Sequence, residues 1–345
     1  MLTRSARITD TFKEKGTHPM ASKETLIVDC DTGIDDALAL LYLLHDPEVE
    51  IRAVTTVFGN VDATVAAGNT LRVLELVGRE DIPVAIGARS NWRGTADLAP
   101  FVHGDDGLGN TGLPAPAAAP TSEPAAEMIV RLARENPGRL HVLALGPLTN
   151  LATALLLEPD LPRLVKHVTI MGGAVRHPGN STPAAEANIH NDPEAARMVL
   201  RAGWPVTLVP LDVTMTEVFT EDHVDRLRGA GTPVTRFVAT ILAHYLDFYE
   251  QNVFGARGAA CHDPLAAAIA VGDVSPVLAP VVAVDVDTGD GPGRGATVAD
   301  IRGQYRDFPA QRGAAVRVVL GTERTFPELL ADRLCGRAGT RRRVA

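Results

Sequence analysis

The stretch from Leu26 to Leu40, LIVDCDTGIDDALAL, constrains the fold more than any other part of the chain. Its apolar opening, Leu26 to Val28, reads as a buried strand. From Ala37 the apolar residues continue as a buried helix, which Asp46-Pro47 stops. Between the two lie Asp29, Asp31, Asp35 and Asp36, with Gly33 in the turn. Acids at a strand-to-helix junction sit at the carboxyl edge of a parallel sheet, where open α/β folds take their ligands. Two like charges about 5 Å apart repel by roughly 3 kcal/mol at an effective dielectric near 20. A helix N-terminus returns only about 0.3–1 kcal/mol per carboxylate. A bound cation or strongly raised pKa values must therefore supply the rest. Oxygen-only donors favour a hard ion, Ca²⁺ or Mg²⁺.

A single Asp at such a junction reads as an N-cap, but capping does not call for four. The DxDx[T/V] turn of Mg²⁺-dependent phosphatases, with an Asp nucleophile, is the nearest competing pattern. Here Gly33 takes its fifth position, and Ile34-Asp35-Asp36 is foreign to it.

Strand and helix alternate beyond this point. Strands are expected at Val49–Val57, Pro83–Ile86, His141–Leu145, Val165–Met171, Val206–Leu211, Val281–Val286, Thr297–Ile301 and Val316–Leu320. Helices are expected at Asp62–Val77, Ala125–Glu135, Pro193–Ala202, about 221–229 and 234–250, and Phe326–Leu334. The spacing predicts an open, mostly parallel, doubly wound α/β sheet flanked by helices. A length of 345 residues allows about two domains, but no linker or internal repeat divides the chain. One domain over residues 23–336 is expected, with a flexible extension at 1–22 and a basic tail at 337–345. The extension has no signal-peptide apolar core, and no apolar run is long enough to span a bilayer. A net charge of −9 argues against nucleic acid and anionic membrane as partners. Cys30, Cys261 and Cys335 have no metal-ligand spacing and form no even disulfide set, which points to a reducing cytoplasm.

The unusual polar residues gather at strand ends. Asp31, Asp35 and Asp36 follow the first strand and Asn60 the second. Gly146-Pro-Leu-Thr-Asn150 follows another, and Asn180, Glu186 and Asn188 a further one, while Asp263 begins a late helix. Amides beside carboxylates suit a polyhydroxylated ligand, a sugar being the economical choice. Taken alone, each Asn is an ordinary turn former.

DCDTGIDDA, TTVFGN at 55–60, the His103 loop, GPLTNLA at 146–152, MGG at 171–173, AEANIHNDPEAA at 185–196 and HDP at 262–264 resemble the signatures of the inosine–uridine type nucleoside hydrolases. The matches occur in family order over roughly residues 24–335. The resemblance implies a Ca²⁺ ion held by Asp31, Asp36, Asp263 and the main-chain carbonyl of Leu145. It implies Asp31 as general base towards a water on that ion. It places Asp35, Asn60, Asn180, Glu186 and Asn188 on the ribose, and His103 and His262 near the departing base. The expected reaction is hydrolysis of a ribonucleoside to ribose and free base, by a homodimer or homotetramer. His262 in particular is expected at the rim of the crevice as the acid for the leaving base. Ala187 stands where many members carry Phe, and Thr32 where Pro is commoner; the first bears on substrate preference. Purine or pyrimidine is left open, because loops 87–121 and 220–260 build the leaving-group wall. A nucleoside- or ribose-binding protein without turnover is the non-enzymatic alternative, against which stands the retention of Asp31.

Overall fold

The computed structural model describes residues 23–323 and 325–337, so the expected extension at 1–22 and most of the basic tail lie outside them. The first strand, β1 (Glu24–Cys30), is central to an eight-stranded sheet. Beside it run β2 (Val49–Thr56) and β3 (Val84–Ile86) on one side. On the other run β4 (Leu140–Ala144), β5 (Val165–Met171) and β6 (Val206–Val209). Val316–Val318 joins β6 in parallel, and Val281–Val282 closes that edge as the antiparallel strand. The open, mostly parallel sheet expected from the alternation is what forms.

Burial along β1 shows why the sheet is covered on both faces. Leu26, Val28 and Cys30 pack on one side with helix α1 (Ile34–Leu44), while Ile27 packs on the other with the Ala125–Glu135 and Thr149–Leu157 helices. A strand apolar on both faces belongs inside a doubly wound sheet. Helix α1 starts at Ile34, earlier than the apolar run indicates. Asp36 accepts the Gly33 amide at 2.9 Å, so an acid that breaks the apolar pattern caps the helix. Helix α2 (Ala63–Leu76) begins at Asp62, whose side chain accepts from the Thr64 amide at 2.8 Å.

One expected strand is two. Val281–Val282 stays on the main sheet, while Val284–Val286 pairs with Thr297–Ala299 in a separate antiparallel ribbon. The break falls at Ala283, whose amide donates to Gln311 Oε1 and whose carbonyl accepts from the Asp300 amide. Two short strands without a clear pattern were also missed. Val218–Thr220 and Gly258–Ala260 pair antiparallel and bracket the Glu221–Ala230 and Pro233–Tyr249 helices. That bracket carries Tyr245 and Tyr249 over the carboxyl edge of the sheet. Among the described residues, no helix is long and apolar enough to cross a membrane.

Candidate active site

The end of β1 and the first turn of α1 supply four buried acids, and the first turn of the His262–Ala270 helix supplies Asp263. Asp35, Asp36 and Asp263 offer oxygens that all lie within 4.8 Å of one another. Asp31 stands beside them. Its Oδ2 accepts the Asn60 amide at 2.6 Å, and the Asn60 side chain donates to Asp36 at 3.0 Å. One residue after β2 thus holds two acids apart at fixed distance. The backbone closes on Asp31 so tightly that a Cβ at Gly59 would lie 2.0 Å from its Oδ2, and one at Gly146 2.9 Å from its Oδ1. Behind this group, Asp29 accepts from Thr55 Oγ1 at 2.6 Å and from Asn150 Nδ2 at 2.8 Å.

Burial pushes every one of these carboxyls upward, Asp29 to about 6 and Asp36 to about 7, with the neighbouring Asp35 adding to the shift of Asp36. Asp31 and Asp263 rise well above the usual carboxylate range, again by burial first and by the surrounding acids second. Two ionised carboxylates 4.8 Å apart repel by roughly 3 kcal/mol at an effective dielectric near 20. Oδ1 of Asp31, Asp35 and Asp36 is buried with no hydrogen-bond partner among the described residues. Unpaired, buried, oxygen-only donors of one charge are what a hard divalent cation requires. The residues therefore fit a metal ion.

The opposite wall comes from the turns after β4 and β5. Glu186 is buried and caps the short helix Ala187–Asn191, accepting from the amides of Asn188 at 2.8 Å and Ile189 at 3.1 Å, and from Gly173 at 2.9 Å. Burial raises its pKa, and those three amides pull it back. Asn188 donates to the Leu145 carbonyl at 2.7 Å and to the Met171 carbonyl at 3.2 Å. Asn180 accepts the Ala187 amide at 2.9 Å.

Both histidines are buried, and for His262 this differs from the sequence expectation. His262 is buried and not at the rim, with Nε2 2.7 Å from the Tyr249 hydroxyl and Nδ1 2.7 Å from Thr214 Oγ1. Its pKa falls to about 4 because burial disfavours the charged ring, against the opposing pull of Asp35. His103 Nδ1 accepts the Ile34 amide at 3.2 Å, which leaves the proton on Nε2. Burial, with His244 nearby, lowers His103 to about 3. The Tyr245 hydroxyl donates to Asp35 at 3.2 Å, and its ring lies 5.0 Å from that of Tyr249. Sequence reading missed both tyrosines and Thr214. Tyr245 and Tyr249 stand four apart on one helix, in a chain with only four tyrosines, and that spacing was the available signal.

Asp31, Asp35, Asn60, Asn180, Glu186, Asn188, Tyr245, Tyr249, Asp263 and both histidines, His103 and His262, line one cavity of about 590 Å³, whereas Asp29, Asp36 and Thr214 do not. Leu98, Phe101 and Val102 from one side and Phe248, Asn252 and Val253 from the other also line it, so both segments expected to build the leaving-group wall contribute. The described residues around it include no lysine or arginine. The profile of the family described as inosine-uridine preferring nucleoside hydrolase matches residues 26–326. The chain belongs to that family.

Two relatives of this nucleoside hydrolase illustrate its range. A probable uridine nucleosidase 2 from Arabidopsis thaliana is 40% identical over 247 residues, 71% of this chain and 76% of the relative. The pyrimidine-specific ribonucleoside hydrolase RihA of Citrobacter koseri is 38% identical over 311 residues, 90% of this chain and 97% of the relative. Among solved structures, a plant nucleoside hydrolase, PpNRh1, superposes with a TM-score of 0.82 at 33% identity, covering 91% of this chain and 98% of that one. A purine-preferring ribonucleoside hydrolase from Gardnerella vaginalis gives 0.81 at 30% identity, covering 91% and 97%. The chain is accordingly a hydrolase of N-glycosyl bonds in nucleosides.

Proposed function

We propose that the chain hydrolyses ribonucleosides with Ca²⁺ at the acid crevice and Asp31 as general base. The observation that carries this is the unpartnered Asp31 Oδ1, held in place by the Asn60 amide on the other oxygen. Asp31, Asp36, Asp263 and the Leu145 carbonyl would hold the ion. Asp35 lies within the same group of acids, but Tyr245 fixes one of its oxygens and the His103 ring lies 3.9 Å from the other. That setting turns Asp35 towards the sugar with Asn60, Asn180, Glu186 and Asn188. When bound, the cation lowers the pKa of water at the site and orients it. Asp31 takes that water's proton. The acids and amides of the walls grip the ribose hydroxyls, and those hydrogen bonds strengthen as the sugar becomes oxocarbenium-like.

The departing base needs a proton, and His262 does not present a free ring nitrogen to receive or give it. The proton passes through the Tyr249 hydroxyl, with His262 and Thr214 behind it. His103 stays neutral and offers its Nε2 proton as a hydrogen-bond donor.

Uridine is the first substrate in this proposal, supported by the uridine and pyrimidine in the names of the two relatives above. A reducing-sugar assay over uridine, cytidine, inosine, adenosine and guanosine, with and without chelator, tests the reading. Ribose release that is lost on chelation and restored by Ca²⁺ is expected. Ribose binding without turnover of any nucleoside would instead make the chain a sensor. A phosphatase is disfavoured because, among the described residues, no lysine or arginine lines the cavity to grip a phosphate. Cytoplasmic location and a homodimer or homotetramer complete the proposal; light scattering measures the assembly.

A further inference from the structure

The helices that carry the acids lie against each other. The Asp35 and Asp36 end of α1 and the Asp263 end of the His262–Ala270 helix meet at the crevice. Their far ends meet too, at a second buried cluster of charge. Tyr42, on α1, donates its hydroxyl to Asp273 Oδ2 at 2.8 Å, just past the end of the other helix. Arg333, from the helix Pro327–Leu334, donates to Asp273 at 2.7 Å and to Asp46, just past the end of α1, at 3.1 Å. Its guanidinium lies over the Tyr42 ring, 4.2 Å from the centroid. All four side chains are buried, Arg333 being 8% exposed. At about 1.5 Å per residue, this cluster sits roughly 10–15 Å along the helices from the acids.

The two ends work against each other electrostatically. With no cation bound, the acids push the helix N-termini apart, whereas the one guanidinium between two carboxylates draws the far ends together. Tight Ca²⁺ coordination needs oxygens at about 2.3–2.6 Å, so small helix displacements matter. From this we infer that Arg333 is a positioning residue for the metal: by clamping Asp46 to Asp273 it holds the spacing between Asp36 and Asp263. The inference rests on the metal reading above. It also gives the C-terminal helix, which touches none of the acids, a part in the site.

The test is Ca²⁺ affinity, measured by calorimetric titration of chelator-stripped full-length protein well below its melting temperature. Arg333→Met takes from two buried carboxylates the guanidinium they share, a burden that lowers thermal stability. Arg333→Met with Asp46→Asn and Asp273→Asn removes that burden yet still lacks the clamp. Both variants should bind Ca²⁺ about tenfold more weakly, the low end of what outer-shell changes cost a metal site. Arg333→Lys should recover part of the loss. Turnover at saturating Ca²⁺ should stay within a few-fold of the parent. Wild-type affinity in the triple variant would overturn the clamp and leave the metal reading standing. No Ca²⁺ binding by the unaltered protein would overturn the metal reading and the clamp with it.

Discussion

Two clusters of buried charge sit at opposite ends of the same helix pair, and their composition differs. At the Arg333 end, a guanidinium and a phenol from the same chain donate to the two carboxylates. At the crevice, Asp31, Asp35, Asp36, Asp263 and Glu186 are buried together, and among the described residues no lysine or arginine lines the cavity. A buried ion group with its counter-charge present is structural, and breaking it costs about 3–5 kcal/mol. A buried group of one sign leaves its balance to a ligand, and its unpartnered oxygens show where that ligand goes. Burial alone therefore does not mark function; an unmatched charge does.

The largest expected effect separates chemistry from metal holding inside the crevice. Asp31→Asn keeps an oxygen for the ion but removes the base, so kcat on uridine should fall by about 10³-fold, within the usual general-base range of roughly 10²–10⁴. KM should move only a few-fold. Near-parental turnover with metal bound would mean that another group is the base. Asp263→Ala removes charge from the ion itself, and Ca²⁺ affinity should drop by about 100-fold or more, since outer-shell losses already reach about 10–100-fold. Excess Ca²⁺ should restore part of the activity. If affinity held while kcat fell, Asp263 would belong to the substrate wall and not to the ion.

His262→Ala comes next, because it tests a group neutral by burial within the charged crevice. Protonating a poor leaving group is worth about 10²–10⁴-fold, and a loss near 10² on uridine is expected. A nitrophenyl riboside leaves as a stable anion and should slow only a few-fold. Tyr249→Phe should show the same split if the proton passes through that hydroxyl, which lies 2.7 Å from His262 Nε2. Equal losses on both substrates would assign His262 and Tyr249 to holding the fold.

The acids themselves were legible because the chemistry is local. Asp29 to Asp36 are consecutive in a strand, turn and helix start, and like charges so close need no partner to be noticed. The mostly parallel sheet followed from the alternation of strand and helix, and the gathering of Asn60, Asn180, Glu186 and Asn188 at one cavity from where they fall at strand ends. What the sequence could not show is partnership across distance. Asn150 reaches Asp29 across 121 positions, Tyr245 reaches Asp35 across 210, and Arg333 reaches Asp46 across 287. Each partner reads locally as a turn former, a core aromatic or a surface cation. His262 was misplaced at the rim for the same reason: Thr214 and Tyr249, which draw both its nitrogens inward, come from two other segments.

The smallest effect concerns titratable groups that have no counter-charge and need none. His141 on β4 and His167 on β5 face each other edge to face, ring centroids 5.1 Å apart, away from the crevice. His141 Nε2 lies 2.9 Å from Thr169 Oγ1, and His167 Nε2 2.9 Å from Thr207 Oγ1. Burial lowers His141 from 6.5 to about 3, with His167 and Lys166 adding to the shift. A depressed histidine means that the unfolded chain binds the proton first. Stability from this source is therefore complete above about pH 6.5 and declines as pH falls towards 3. The slope for one such group is about 1.4 kcal/mol per pH unit within that window. Saturating Ca²⁺ should be present, so that the carboxylates of the crevice do not titrate over the same range. His141→Gln keeps a hydrogen bond to Thr169 without a basic nitrogen. Its melting temperature between pH 6.5 and 5 should fall less steeply than the parent's, while kcat at pH 7.5 stays unchanged. Parallel slopes would show that the acid sensitivity lies elsewhere, and a change in kcat would show that the amino end of the sheet communicates with the site.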